Sequence, residues 1–192
     1  MLQIQIMTPV KPQMEQVEEL VQNGNLEELL EILKKHAELV NKCNYDGRTV
    51  LQLTIQYGQI KLTKALLEQQ FPFDFDHGDH AGWTALHQAA SIGLPTGPFI
   101  ERGANINARS NNGTTALHHA ASKGHRETVE ELLEYGAMIM VDKRGATPLH
   151  RAAAVGRGDI VELLVEHDPS IVNKQDDEGN TALYHTSSCT GY

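Results

Sequence analysis

The chain is short of aromatic side chains, of cysteine, of positive charge and of long apolar runs. Aromatic residues make up only 5% of the 192, against 40% hydrophobic overall. A core must therefore be built from Leu, Ile, Val and Ala, which suits thin helices packed closely through alanines. Cys43 and Cys189 stand in unrelated contexts without partner spacing. That excludes a disulfide framework and a zinc site, and it points to a reducing compartment. With 25 acidic against 16 basic residues the net charge is −9. Such a chain repels phosphate backbones, which argues against nucleic acid and favours a basic protein partner. No apolar run approaches the roughly 20 residues that a membrane helix needs. Met1 to Val10 lacks the basic start, the apolar stretch and the cleavage site of a secretory signal. The expectation is a soluble intracellular protein.

What is abundant is repetition. Gly47-Arg48-Thr49-Val50-Leu51 is echoed by Gly82-Trp83-Thr84-Ala85-Leu86-His87 and by Gly113-Thr114-Thr115-Ala116-Leu117-His118. Gly145-Ala146-Thr147-Pro148-Leu149-His150 and Gly179-Asn180-Thr181-Ala182-Leu183-Tyr184 complete the set. The threonines at 49, 84, 115, 147 and 181 lie 35, 31, 32 and 34 residues apart, a total of 132, or four periods of 33. A second ladder, Gly24, Gly58, Gly93, Gly124 and Gly156, also spans 132. It adds a first unit without the Gly-x-Thr start, in which Met14, Val17, Leu20 and Val21 mark one helical face and Leu26, Leu29, Leu30, Ile32 and Leu33 another. Glu15, Glu18, Glu19, Glu27, Glu28 and Glu31 give this terminal unit the polar face that an end repeat needs. A period of this size is the mark of a helical repeat array, and such arrays bind other proteins far more often than they catalyse.

Each unit reads physically. An Asp-or-Asn-x-x-Gly segment turns the chain, with Gly accepting a positive φ. Thr caps the first helix, and Pro148 stands at a helix start where proline is tolerated. Leu51, Leu86, Leu117 and Leu149 face inward, and the pairs Ala89-Ala90, Ala120-Ala121 and Ala152-Ala153 allow close helix approach. A second Gly ends that helix, and the next carries Leu62, Leu66 and Leu67 or Val129, Leu132 and Leu133 at helical spacing.

The pattern Asp-x-x-Gly-x-Thr-Ala/Pro-Leu-His-x-Ala-Ala-x-x-Gly-His, met almost fully by Asp79 to Gly93 and by Ser110 to His125, resembles the ankyrin repeat. The resemblance covers about residues 14 to 186. It implies an all-α ankyrin-repeat solenoid of about five helix-pair repeats plus a truncated sixth, with projecting β-turn fingers and a gently concave face. The expected repeats are 13–43, 44–78, 79–109, 110–141, 142–175 and 176–186, after a disordered lead-in over 1–12 and before a non-repeat tail over 187–192. Within the family, Asp79 to Thr84, His119 to Lys123, His150 to Ala154 and Gln175 to Thr181 are most similar to the branch that chaperones assembly of the proteasome's regulatory particle. That similarity implies a monomer in cytoplasm and nucleus whose partner is the C-terminal domain of a proteasomal ATPase subunit. A scaffold in signalling or transcription is the alternative. The branch's retinoblastoma-binding motif would begin at His185, but Ser187 stands where its cysteine should be, so that activity does not carry over.

The pattern breaks in three places. Gly93 to Gly103 spans only ten residues and contains Pro95, Gly97 and Pro98, so the second helix there should be short and the stack weak. Gly136 to Gly145 is one residue shorter than Gly103 to Gly113, and its finger carries the apolar run Met138 to Val141. After Tyr184-His185 the sixth repeat stops within its first helix, which would leave an apolar flank uncovered.

No catalytic, cofactor or metal site is expected. His87, His118 and His150 recur at one repeat position, where a hydrogen bond to backbone joining one helix start to the next is the natural role. His77 and His80 lie near Asp74, Asp76 and Asp79 without ligand spacing, and His118-His119 diverge by about 100° on a helix. No glycine loop follows a strand to cradle phosphate. The candidate protein interface lies on the fingers and at the ends of the first helices. It comprises Tyr45, Asp46, Arg48 and Tyr57, then Asp79, His80, Trp83 and Ile92, then Asn111, Asn112 and Lys123, and finally Lys143 and Arg144. Trp83, between a turn Gly and a capping Thr, should sit at the surface as a binding hot spot, or else pack on the adjacent finger. Residues 13 to 79 carry twelve acids and six bases, whereas 80 to 160 carry seven acids and eight bases. That asymmetry would orient a partner.

Overall fold

A computed structural model describes residues 14 to 187, with side chains as far as Tyr184. The expected lead-in, Cys189 and residues 188–192 of the tail lie outside the described residues. The chain divides into two compact units, Met1–Phe73 and Asp74–Tyr192. Both have the architecture of an all-α ankyrin solenoid: among the described residues there are paired helices, an isolated Gln175–Thr181 bridge and no strand.

The first unit holds α1 (Met14–Asn23), α2 (Leu26–Lys35), α3 (Val50–Gln56) and α4 (Ile60–Glu68). The apolar face of α1 is buried as its spacing requires, through Met14, Val17, Leu20 and Val21. In α2 the buried stripe narrows to Leu29 and Leu33, leaving the acidic face to water. Nearly all of α3 is buried, Thr54 included, whose hydroxyl bonds Leu51 O at 2.8 Å and receives that of Thr63 at 3.0 Å. Those bonds satisfy hydroxyls that would otherwise be costly inside a core.

The second unit holds α5 (Ala85–Ser91), α6 (Gly97–Ile100), α7 (Ala116–Lys123), α8 (Arg126–Glu134), α9 (Pro148–Ala153), α10 (Gly158–His167) and α11 (Ala182–Ser187). The alanine pairs of α5, α7 and α9 are wholly or almost wholly buried, which is how these short helices pack close together. The fingers are joined edge to edge: Asn111 N bonds Ala81 O, Lys143 N bonds Asn112 O and Asp177 N bonds Arg144 O, at 2.9, 2.9 and 3.0 Å. This approach is why Gly82 must be glycine: at φ +74° a Cβ would lie 2.6 Å from Asn111 Oδ1 and 2.7 Å from its backbone nitrogen.

The ten-residue interval has its expected short helix, since α6 is a single turn of four residues. The following repeat holds it in place. Glu131 of α8 accepts from Thr96 N at 2.5 Å, Thr96 Oγ1 at 2.7 Å and Gly97 N at 3.1 Å. One carboxylate thereby fills the open donors at the start of α6. Phe99 is 1% exposed and meets Phe75 edge-on at 6.5 Å, so an aromatic ring fills the space of the missing helical turns.

Candidate functional site

The repeated histidines form the frame on which the surface hangs. In the second unit Nδ1 of His87, His118 and His150 accepts the backbone N–H of Thr84, Thr115 and Thr147 at 3.1–3.2 Å. Their Nε2–H groups donate to Thr114 O, Ala146 O and Asn180 O, each in the next repeat, at 3.0–3.1 Å. A backbone N–H can only donate and a carbonyl can only accept, so these contacts fix the neutral Nε2–H tautomer. In the first unit Gln52 stands at the same place, its Oε1 accepting from Thr49 N at 2.9 Å. Burial pushes His87 below the usual imidazole value and His118 down to about 4, against the opposing pull of their carbonyl partners.

Above this frame, between the fingers and inner helices of the second unit, lies a groove of about 440 Å³ lined by Trp83, Asn112, Thr114, His118, His119, Ser122, Asp142, Lys143, Arg144 and Arg151. One wall is Trp83, half-buried, with its ring centroid 4.0 Å from that of His119. His119 Nε2 lies 3.0 Å from Thr114 Oγ1. Burial, and then repulsion from His87, His118, Arg151 and Lys123, holds His119 down at about 3, so this ring is neutral at physiological pH. Asp142 forms part of the floor. Its Oδ1 accepts from Arg144 N at 2.8 Å and Ala146 N at 3.1 Å, and its Oδ2 accepts from Arg151 Nε at 3.1 Å and Arg151 Nη2. Burial alone would raise the Asp142 pKa, but the Arg151 contacts and the backbone N–H groups outweigh it and hold the carboxyl below its ordinary value. A second groove of about 420 Å³ adjoins across Lys143, Arg144 and Arg151 and is edged by Asp176, Asp177 and Glu178.

In the first unit the candidate residues form a polar network. Tyr57 OH donates to Glu18 Oε1 at 2.6 Å and accepts from Gln22 Nε2 at 2.8 Å; the bond to Glu18 raises the tyrosine pKa. Asn44 Nδ2 donates to Glu18 Oε2 at 3.1 Å, and Tyr45, 87% exposed, reaches Glu15 Oε1 at 3.3 Å. Arg48 bonds both Asp46 Oδ2 at 3.1 Å and Gln56 Oε1 at 2.9 Å.

Of the expected interface residues, Trp83, Asn112, Lys143 and Arg144 meet in the groove. Trp83 is a half-buried wall whose ring packs on the helical His119, in a groove it shares with Asn112 and Thr114 of the next finger. A shallow site between two repeats accommodates it without entering the core. Asp79 holds its own turn, with Oδ1 accepting from Ala81 N and Trp83 N at 2.9 Å each. Asn111 bonds His80 O through Nδ2 at 2.9 Å, while His80, Ile92 and Lys123 are exposed. Among the described residues no cluster of His, Cys, Asp or Glu has metal-holding geometry, and no helix is long and apolar enough to cross a membrane. The repeat pattern marks neither the Asp142–Arg151 pair nor Glu131. Asp142 does stand at the turn position filled by Asp79 in the earlier repeat, and that was the available signal.

The ankyrin-repeat family pattern matches residues 18–96, 98–176 and 140–192. The "Probable 26S proteasome regulatory subunit p28" of Saccharomyces cerevisiae is 34% identical over 164 residues, covering 81% of this chain and 71% of that protein. Human "BCL-6 corepressor-like protein 1" is 37% identical over 93 residues, 47% of this chain but only 5% of that protein. The "IkB-like protein" of African swine fever virus is 31% identical over 127 residues, 61% of this chain and 53% of that one. The period, the paired helices and the joined fingers agree with these similarities: the chain belongs to the ankyrin-repeat family.

Proposed function

We propose that the chain is a non-catalytic, gankyrin-like assembly chaperone that binds the C-terminal domain of one proteasomal ATPase subunit in cytoplasm and nucleus. The observation that carries the reading is the similarity to yeast p28, which extends over 81% of this chain and most of that protein, well beyond a shared pair of repeats. The geometry supports a binding surface: the polar atoms of the turns are consumed in holding the fingers, and the groove side chains project from a frame of fixed tautomers and shared hydrogen bonds. A preorganised surface of this kind loses little conformational entropy on association. Asp46 and Trp83 belong to the interface in this reading.

The test is a pull-down from lysate, and then with purified proteasomal ATPase C-terminal domains, using the intact chain and the variants Trp83→Ala and Asp46→Lys. The intact chain should retain one ATPase subunit, and each variant should weaken that capture at least tenfold. Retention of no ATPase by the intact chain sinks the chaperone reading. Equal retention by the variants sinks the interface assignment. Recovery of transcription factors instead would favour a scaffold, the reading to which the similarity with the corepressor-like and IkB-like proteins lends weight.

A further inference from the structure

The groove beside Trp83 has a charge surplus that no acid among the described residues pairs. Asp142 and Arg151 neutralise one another on its floor. Arg151 spends Nε and one Nη2 hydrogen there, which leaves three guanidinium N–H donors on a side chain 37% exposed. Lys143 and Arg144 rise from the adjoining finger, both exposed, and among the described residues neither is in an ion pair. His118 and His119 add no charge, held neutral by burial. Among the described residues, two positive charges therefore stand unspent at one groove of a chain whose net charge is −9. Asn112, Thr114 and Ser122 add neutral hydrogen-bonding groups, and the Trp83 ring offers an apolar wall.

We infer that this groove receives an acidic segment of a partner protein, two neighbouring carboxylate side chains meeting Lys143, Arg144 and the outward donors of Arg151 while an aliphatic neighbour lies along Trp83. The inference rests on the protein-binding reading above and names the chemistry of the partner at one place on its surface. Charge complementarity chooses the occupant. A basic segment would meet the surplus of like charge, whereas a carboxylate pair satisfies it, and the guanidinium edge of Arg151 matches the planar carboxylate. The acids Asp177 and Glu178 along the second groove limit the segment on that side, since a longer acidic run would be repelled there.

Trp83 is the single tryptophan of the chain, so its emission reports the groove directly. The full chain is titrated with a blocked peptide carrying two adjacent glutamates and a leucine, and with its glutamine counterpart. The glutamate peptide should give a saturable change in emission at low salt that weakens at high salt, and the glutamine peptide should not. Lys143→Glu/Arg144→Glu should weaken binding about tenfold or more, with an unchanged helical circular-dichroism spectrum and melting temperature. Lys143→Gln/Arg144→Gln should fall between the two. Equal responses to both peptides, no response to either, or undiminished affinity in the charge-reversed chain would each overturn the inference. If a proteasomal ATPase domain binds intact and charge-reversed chains alike, the chaperone reading stands and this one falls. If the glutamate peptide binds and no ATPase domain does, the reverse holds.

Discussion

Acidification should unfold the second unit well above the pH at which its carboxylates protonate, because its inner histidines are buried as bases. In the unfolded chain an imidazole titrates near 6.5. In the fold His118 is held at about 4 by burial and His119 at about 3 by burial and neighbouring positive charge, and His87 shifts in the same direction. A folded pKa below the unfolded one gives stability that is complete above about pH 6.5 and drains away as pH falls toward the folded value, because only the unfolded chain gains protons in that window. At pH 5 each of His118 and His119 would favour unfolding by about 2 kcal/mol, or about 4 kcal/mol together, from 1.36 kcal/mol per pKa unit. That is a large part of the roughly 5–15 kcal/mol that holds a domain folded. Urea denaturation followed by circular dichroism at pH 7.5, 6 and 5 measures the loss, and histidine ring proton shifts locate the groups. His118→Gln supplies a control, since Gln52 already performs the corresponding turn contact in the first unit. It should reduce the pH dependence by about one proton while losing the Ala146 bond. Constant stability between pH 7.5 and 5, or His118 and His119 resonances titrating near 6.5, would refute the reasoning.

Two further outcomes follow from the fold. Glu131→Ala removes the acceptor for Thr96 N, Thr96 Oγ1 and Gly97 N, and Thr96 is fully buried, so urea denaturation should show a loss of about 2 kcal/mol, with Glu131→Gln losing less. A loss below about 0.5 kcal/mol would mean that α6 does not depend on this carboxylate. Gly82→Ala combines a positive φ with a Cβ 2.6 Å from Asn111 Oδ1, whereas Gly103→Ala, at φ +99°, meets nothing within 4 Å. The first should therefore destabilise by at least about 1 kcal/mol more than the second, and equal melting temperatures would show that the fingers yield freely.

The frame was legible because it repeats. Threonine, leucine and the alanine pair return on a fixed period, and each has a role that elementary sterics or hydrogen bonding dictates, so the helix pairs and the inward leucines were readable before any coordinates. The histidine contacts were readable for the same reason: a residue copied at 87, 118 and 150 must serve the fold. Features that occur once were less accessible. Gln52 is hidden from the pattern because an amide replaces an imidazole there. Glu131 appears in sequence as one more acid on a solvated helix, and only the start of the shortened α6, at Thr96 and Gly97, gives it work to do. The surplus charge of Lys143 and Arg144 could be suspected from the sequence, but not that Asp142, the nearest acid, turns its carboxylate inward to Arg151 and leaves them unmatched.

The position just after each repeated histidine shows why the frame alone does not determine what the surface binds. Gln88, His119 and Arg151 occupy it in successive repeats, 31 and 32 residues apart, on α5, α7 and α9. The three helices present this position alike, yet the chemistry differs each time. Gln88 is 8% exposed, and its side-chain oxygen has no hydrogen-bond partner among the described residues. His119 packs its neutral ring against Trp83. Arg151 spends two donors on a buried aspartate and turns the rest outward. Replacement here disturbs neither the turn contact, which the preceding histidine makes, nor the alanine packing that follows. The polarity of this position can therefore differ from repeat to repeat on the same helix pair. The groove is cationic because Arg151 stands at the third of these positions and Lys143 and Arg144 on the finger beside it. Exchanging Arg151 would also strand Asp142 without its partner, so the charge of this groove is tied to the stability of the fold in a way that the charges of Lys143 and Arg144 are not.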